Sequence, residues 1–139
     1  MNSSSFYIST DDNKLNVSLI HDWLSNQSYW AKGRSRELVE RTIRHSLCFG
    51  VYDTDHQQVG FARVVTDFTV YAYILDLFII ESRRGLGLSK MLMEEIMNHP
   101  ELQLISKWAL ATRDAHGLYA QFGFCPVASP ERLMEKKNT

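Results

Sequence analysis

Hydrophobic and polar positions follow three rhythms along the chain. Residues 72–80, Ala-Tyr-Ile-Leu-Asp-Leu-Phe-Ile-Ile, are apolar on both parities except at Asp76, the pattern of a strand covered on both faces. Leu88, Met91, Leu92 and Ile96 then recur at helical spacing, with Ser89, Lys90, Glu94 and Glu95 opposite, which predicts an amphipathic helix. His99-Pro100 ends it, because the residue before a proline is pushed away from helical dihedrals. Between strand and helix stand two arginines and two glycines, Arg83-Arg84-Gly85-Leu86-Gly87.

The rest of the chain takes the same two periods. Residues 6–9 read as a short edge strand. Asp11 or Asp12 can cap a helix with apolar positions Leu15, Leu19, Ile20, Trp23 and Leu24. A loop over 25–34 carries Tyr29 and Trp30 beside Lys32 and Arg34, a surface suited to meeting a ligand or to covering the core edge. Ser35 can cap a second helix over 36–45, with Leu38, Thr42 and Ile43 inward. The pairs Glu37–Arg41 and Glu40–Arg44 lie on its solvated face, each adding about 0.2–0.5 kcal/mol. Residues 47–52 and 59–65 flank a polar turn and predict an antiparallel hairpin, with 70–80 as the next strand. Arg63 inside that hairpin requires a partner, which Asp76 or Asp67 can supply. Residues 107–112 form a further strand. Asp114 or Thr112 caps a helix over 115–122, Gly123 suits its left-handed end, and Phe124 resumes extended chain toward Pro126. The order β-α-α-β-β-β-α-β-α-β predicts an α/β fold, a mixed sheet with helices on both faces, in one domain over 1–139.

Composition narrows the function classes. With 139 residues, 45% hydrophobic and 22% charged, the chain fits one globular domain. A net charge of −1 gives no field to draw it to nucleic acid or membrane. Two cysteines, Cys48 and Cys125, offer neither a disulfide framework nor metal-ligand spacing, so no metal is expected and a reduced, cytoplasmic setting is the natural reading. No stretch reads as a secretory signal or membrane span.

The strand–glycine–helix passage carries the candidate chemistry. A helix that starts from glycines leaves its first backbone N–H groups unpartnered, and with the positive end of the helix dipole these suit a phosphate. The arginines add fixed charge. A glycine at such a turn also serves tight packing alone, and the residues by themselves leave both readings open. A dinucleotide fingerprint needs a third glycine. A P-loop needs lysine before serine, whereas Ser89-Lys90 runs the other way.

Arg84-Gly85-Leu86-Gly87-Leu88-Ser89 resembles the Arg/Gln-x-x-Gly-x-Gly/Ala signature of the GNAT superfamily of acetyl-CoA-dependent N-acyltransferases, with Ser89 in place of the usual Gly or Ala. The segment 115–124, Ala-His-Gly-Leu-Tyr-Ala-Gln-Phe-Gly-Phe, is similar to that family's Asn-x-x-Ala-x-x-Leu/Phe-Tyr-x-x-x-Gly-Phe segment, with Thr112 at the Asn position. The resemblance implies acetyl transfer from acetyl-CoA to a primary amine of a small molecule, amino acid or peptide, by direct attack in a ternary complex. Arg84, Gly85, Leu86, Gly87, Leu88 and Ser89 would hold the pyrophosphate. Neighbouring strands would splay at Leu77, with Leu77, Phe78 and Ile79 lining the pantetheine and the N–H of Leu77 facing the thioester oxygen. Thr112, Ala115 and Tyr119 would line its other side. Tyr119 matches the tyrosine that protonates the departing thiolate. Tyr73 and Asp76 are the candidates for the base, with a water relay; their spacing of three places them on opposite faces of a regular strand. Tyr29, Trp30 and Arg34 would meet the acceptor, and homodimerisation is a family habit. Two other classes fit the same residues: a non-catalytic acyl-CoA-binding module that regulates a partner, and a nucleotide-phosphate binder of unrelated fold.

Overall fold

A computed structural model of the chain describes residues 5–138. One five-stranded sheet runs in chain order through β1 (Tyr7–Ser9), β2 (Leu47–Tyr52), β3 (Gln58–Thr66), β4 (Tyr71–Ile79) and β5 (Lys107–Ala109). The first four are antiparallel neighbours, whereas β4 and β5 run parallel. That mixed connection needs a crossover, and α3 (Leu88–Met97) supplies it. Helices α1 (Val17–Asn26), α2 (Arg36–Arg44) and α4 (His116–Ala120) complete the set.

Two apolar clusters separate the faces. On one, Leu88, Leu92, Met93 and Ile96 of α3 pack with Phe49, Ala62, Val64, Ala72 and Ile74. On the other, Ile20 and Leu24 of α1 and Val39 and Ile43 of α2 cover Cys48, Phe61 and Phe78. Helices therefore lie on both faces, and the inward side chains of β2 and β3 sit where strand alternation puts them.

Local departures have local causes. Asp11 caps only a 3₁₀ turn, Asp12–Lys14; Asn16 caps α1, its side chain accepting from Leu19 N–H at 3.0 Å. Ser35 caps α2 as expected, but the buried residues are Val39 and Ile43, one helical turn apart, and Leu38 is 54% exposed. The ion pair on its surface is Arg36–Glu40, 2.9 Å, rather than Glu37–Arg41 or Glu40–Arg44. No strand forms over 124–126 among the described residues. The sheet ends at β5, and α4 is shorter than its apolar pattern, closing at Ala120 before Gly123 turns with φ +90°.

The consequential irregularity is in β4. Phe61 pairs with Phe78, and Arg63 with Leu75, so two steps along β3 oppose three along β4. The extra residue is a β-bulge, and Asp76 carries it with φ +56°. Aspartate is one of the few residues with a side chain that enters the left-handed region at modest cost. The bulge breaks the alternation expected from sequence. Cys48 and Arg63 are cross-strand partners, which places Arg63 on the α1/α2 face, and Asp76 reaches Arg63 there. Tyr73, two residues from Leu75, points to that face as well. Tyr73 and Asp76 therefore share a face, and the expectation that they oppose each other is corrected.

Candidate active site

Strand β5 pairs with β4 only at Tyr71–Lys107, Ala72–Trp108 and Tyr73–Ala109. Beyond Tyr73 the two strands separate, earlier than the splay expected at Leu77. The margin of β4 from Ile74 to Ile79 then has no strand partner on that side among the described residues. A cleft of about 1020 Å³ fills the gap. Its walls are β4 from Tyr73 to Ile79 and the segment 110–115, with Leu118 and Tyr119 of α4. It opens at one end onto the start of α3 and at the other onto Trp23, Gln27, Tyr29 and Trp30.

At the first end, Gly85 and Gly87 have φ of +82° and +75°, and Gly87 is the residue before α3. The first return bond of the helix runs from Met91 N–H to Gly87 carbonyl at 3.0 Å. The N–H groups of residues 85–90 make no hydrogen bond among the described residues, and no side chain caps the helix. Unpaired amides at a helix start form a preformed anion site. Arg84, exposed beside it, donates Nε–H to the Ile79 carbonyl at 3.2 Å. Arg83, Ser89 and Lys90 also border the cleft, whereas Leu86 turns into the apolar core. A Cβ at Gly85 or Gly87 would meet nothing within 4 Å, so φ rather than space demands glycine here. Gly87→Ala is therefore expected to destabilise the fold by about 1–2 kcal/mol through the left-handed conformation alone. It should also weaken binding of a pyrophosphate ligand severalfold by shifting the amides. Thermal melts and calorimetry with acetyl-CoA check both effects.

Midway along the cleft is Tyr119, 9% exposed, its hydroxyl without a hydrogen-bond partner among the described residues. Burial, then Tyr29 and Asp114, push its pKa above the ordinary value, so it keeps its proton at neutral pH. Thr112 lines the same wall, its Oγ1 accepting from Ala115 N–H at 3.0 Å; Ala115 is the N-cap of α4 and no side chain caps that helix, so neither Asp114 nor Thr112 takes the expected capping place. Tyr73 faces the cleft, half-buried.

Asp76 is differently placed from a free base. Arg63 Nε–H donates to Oδ2 at 2.6 Å, Arg34 Nη1–H to the same oxygen at 2.9 Å, and the Trp30 indole N–H to Oδ1 at 2.7 Å. Burial alone would raise its pKa. The Arg63 and Arg34 charges and the Arg63 and Trp30 hydrogen bonds outweigh that and hold the carboxyl below its usual range. Arg34, read from the sequence as an acceptor contact, is committed to this cluster and does not line the cleft; Tyr29 and Trp30 do. Cys48 is buried with its thiol pushed up to about 12, chiefly by burial, which leaves it unreactive.

Sequence reasoning missed three side chains. Arg113 donates its N–H to the Tyr29 hydroxyl at 3.2 Å and lays its guanidinium 3.8 Å from that ring, bridging the cleft rims. Its adjacency to Thr112 was the available signal. Trp23, assigned to the core, stacks on Phe78 at 4.3 Å and also borders the cleft, and Gln27 follows it one helical turn later.

Comparison with known proteins places this geometry. Residues 44–126 match the family model described as an acetyltransferase (GNAT) domain. A crystal structure of a GNAT-family acetyltransferase from Xanthomonas campestris pv. campestris is 48% identical with a TM-score of 0.92, covering 95% of this chain and 92% of that one. A Gibberella zeae protein described as an acetyltransferase is 25% identical over 138 residues, spanning 84% of this chain and 76% of its own. A Clostridium acetobutylicum acetyltransferase, whose crystal structure contains acetyl-CoA, shares the fold at a TM-score of 0.70 and 15% identity, covering 95% of this chain and 94% of that one.

Proposed function

The chain belongs to the acetyltransferase (GNAT) family, and from that premise we propose that it moves the acetyl group of acetyl-CoA to a primary amine by direct attack in a ternary complex. One observation carries the reading: a single cleft joins unpaired amides at the start of α3, an uncovered strand margin and a protonated tyrosine. The residues fit the ligand. Amides of 85–90, with Arg84, suit a pyrophosphate, and Leu77, Phe78 and Ile79, facing Thr112 and Ala115, suit a narrow pantetheine arm.

Acetyl-CoA, when bound, supplies an activated thioester. Leu77 is in the stretch of β4 beyond its pairing with β5, and its N–H is the proposed fixed donor that stabilises charge gathering on the thioester oxygen. Tyr119 holds the proton that the departing thiolate needs. Tyr73 orients the water through which the amine sheds its own proton. Asp76, already receiving three donors, is a positioning residue for Trp30 and Arg34. Calorimetry should give acetyl-CoA and CoA binding well above that of ATP, and thiol release with a panel of amines should follow. Preference for ATP overturns the family reading of the cleft. Tight acetyl-CoA binding with no thiol release on any amine supports a non-catalytic acyl-CoA-binding module in its place.

The setting proposed is cytoplasmic, supported by two free cysteines. No helix among the described residues is long and apolar enough to cross a membrane. The acceptor is taken as a small amine, with neither nucleic acid nor membrane as partner; homodimerisation is proposed on the family resemblance alone.

A further inference from the structure

The far end of the cleft is an aromatic wall with its rings fixed by polar handles. Trp23 lies flat on Phe78, 5° from parallel. Trp30 packs 5.7 Å from Trp23, and Tyr29 meets Trp30 edge-on at 5.0 Å. The indole N–H of Trp30 is tied to Asp76 and the hydroxyl of Tyr29 to the Arg113 backbone, yet the two residues remain 38% and 49% exposed. Arg113 lies 3.8 Å from the Tyr29 ring, and the parts of both rings left exposed, being held in place, offer contact area at little entropic cost to a flat guest.

Charge at this end excludes other guests. The carboxylates along the cleft are Asp76 and Asp114. Asp76 is consumed by two guanidiniums, and Asp114 stands singly, with no ion pair among the described residues. A polyamine therefore finds no series of free anions. A sugar amine finds Gln27, Arg113 and the tyrosine hydroxyls set among Trp23, Trp30 and Phe78, in place of a dense set of hydrogen-bonding side chains.

We propose that the acceptor is an amine carried on a flat apolar body, an arylalkylamine or aromatic amino acid derivative, received against Trp30 and Tyr29. The amine leads toward Tyr119. This rests on the amine-acetyltransferase reading above and adds the substrate class.

The test is calorimetry of tryptamine, phenylethylamine, spermidine and glucosamine with the CoA-saturated protein, alongside thiol release from acetyl-CoA with the same four. Aromatic amines should bind and turn over at least tenfold better than the other two. Trp30→Ala should weaken tryptamine at least tenfold while acetyl-CoA binding is kept. Because that change also strips a donor from Asp76, Tyr29→Leu serves as a second variant that leaves the ion cluster whole, with a severalfold loss expected. Spermidine or glucosamine matching the aromatic amines overturns the assignment and leaves the transferase reading intact. So does failure of all four to bind, or both variants keeping full tryptamine affinity. Aromatic amines bound with no thiol released keeps the aromatic-amine site against Trp30 and Tyr29 but overturns the transferase reading, and with it the acceptor role.

Discussion

Asp76→Asn is expected to cost the fold about 3–5 kcal/mol, the usual penalty for stripping one member from a buried ion cluster. Two guanidiniums converge on this carboxylate, and its side chain is 0% exposed, so water cannot replace the lost anion. Asparagine keeps an oxygen for the Trp30 indole but leaves Arg63 and Arg34 facing a neutral group. For a domain of this length the melting temperature should fall on the order of 10 °C. The pH dependence carries a second signature. The folded-state pKa of Asp76 lies below the ordinary 3.8. Its contribution is therefore complete above that value and is lost as pH falls from about 4 toward the depressed pKa. The wild type should lose stability steeply in that window and the Asn variant less so, as urea titrations at stepped pH would register. Equal slopes in the two proteins, or a loss below 1 kcal/mol, would mean the cluster is not the keystone of β4.

Tyr119→Phe is expected to lower kcat by about 10²-fold or more, the scale of a lost general acid, while acetyl-CoA affinity changes less than about twofold. The ring fills the same space, and only an unpartnered hydroxyl is removed. Because burial raises its pKa above 10.0, the acid form persists through neutral and mildly alkaline pH. Turnover in the wild type should thus show no alkaline loss from this group below about pH 10. Stopped-time assays of thiol release between pH 6 and 10 test this, and an unchanged kcat in the variant would remove Tyr119 from the chemistry.

Much of this site could be read from the residues. The apolar run of β4, the helical stripe of α3 and the two glycines between them follow from periods and from φ preferences that a sequence displays directly. That Arg63 needs an anion was also legible, since a lone cation in a sheet interior demands one; Asp76 and Asp67 were both open, and the structure takes Asp76. The bulge was not. An Asp in a strand carries no local mark of positive φ, and the donors that fix it come from Trp30 and Arg34, more than forty positions away in the chain. A still longer separation hid the Tyr29–Arg113 bridge. The expected last strand failed for a different reason: hydrophobic residues at Phe122 and Phe124 pack half-buried on the core without any strand beside them to complete a ladder.

The uncovered margin of β4 also bears on solubility. Open sheet edges ordinarily recruit other polypeptides, and proteins blunt them with kinks or cover. Here the exposed row runs along the floor of a recess, is bent at Asp76, and is overhung where Tyr29 reaches Arg113. A foreign strand about 4.8 Å away would have to bring side chains alternating to both sides into that recess. An unbranched thread has no such bulk. The recess thus leaves an unbranched guest a path along β4 where an added strand would have to press side chains against both walls.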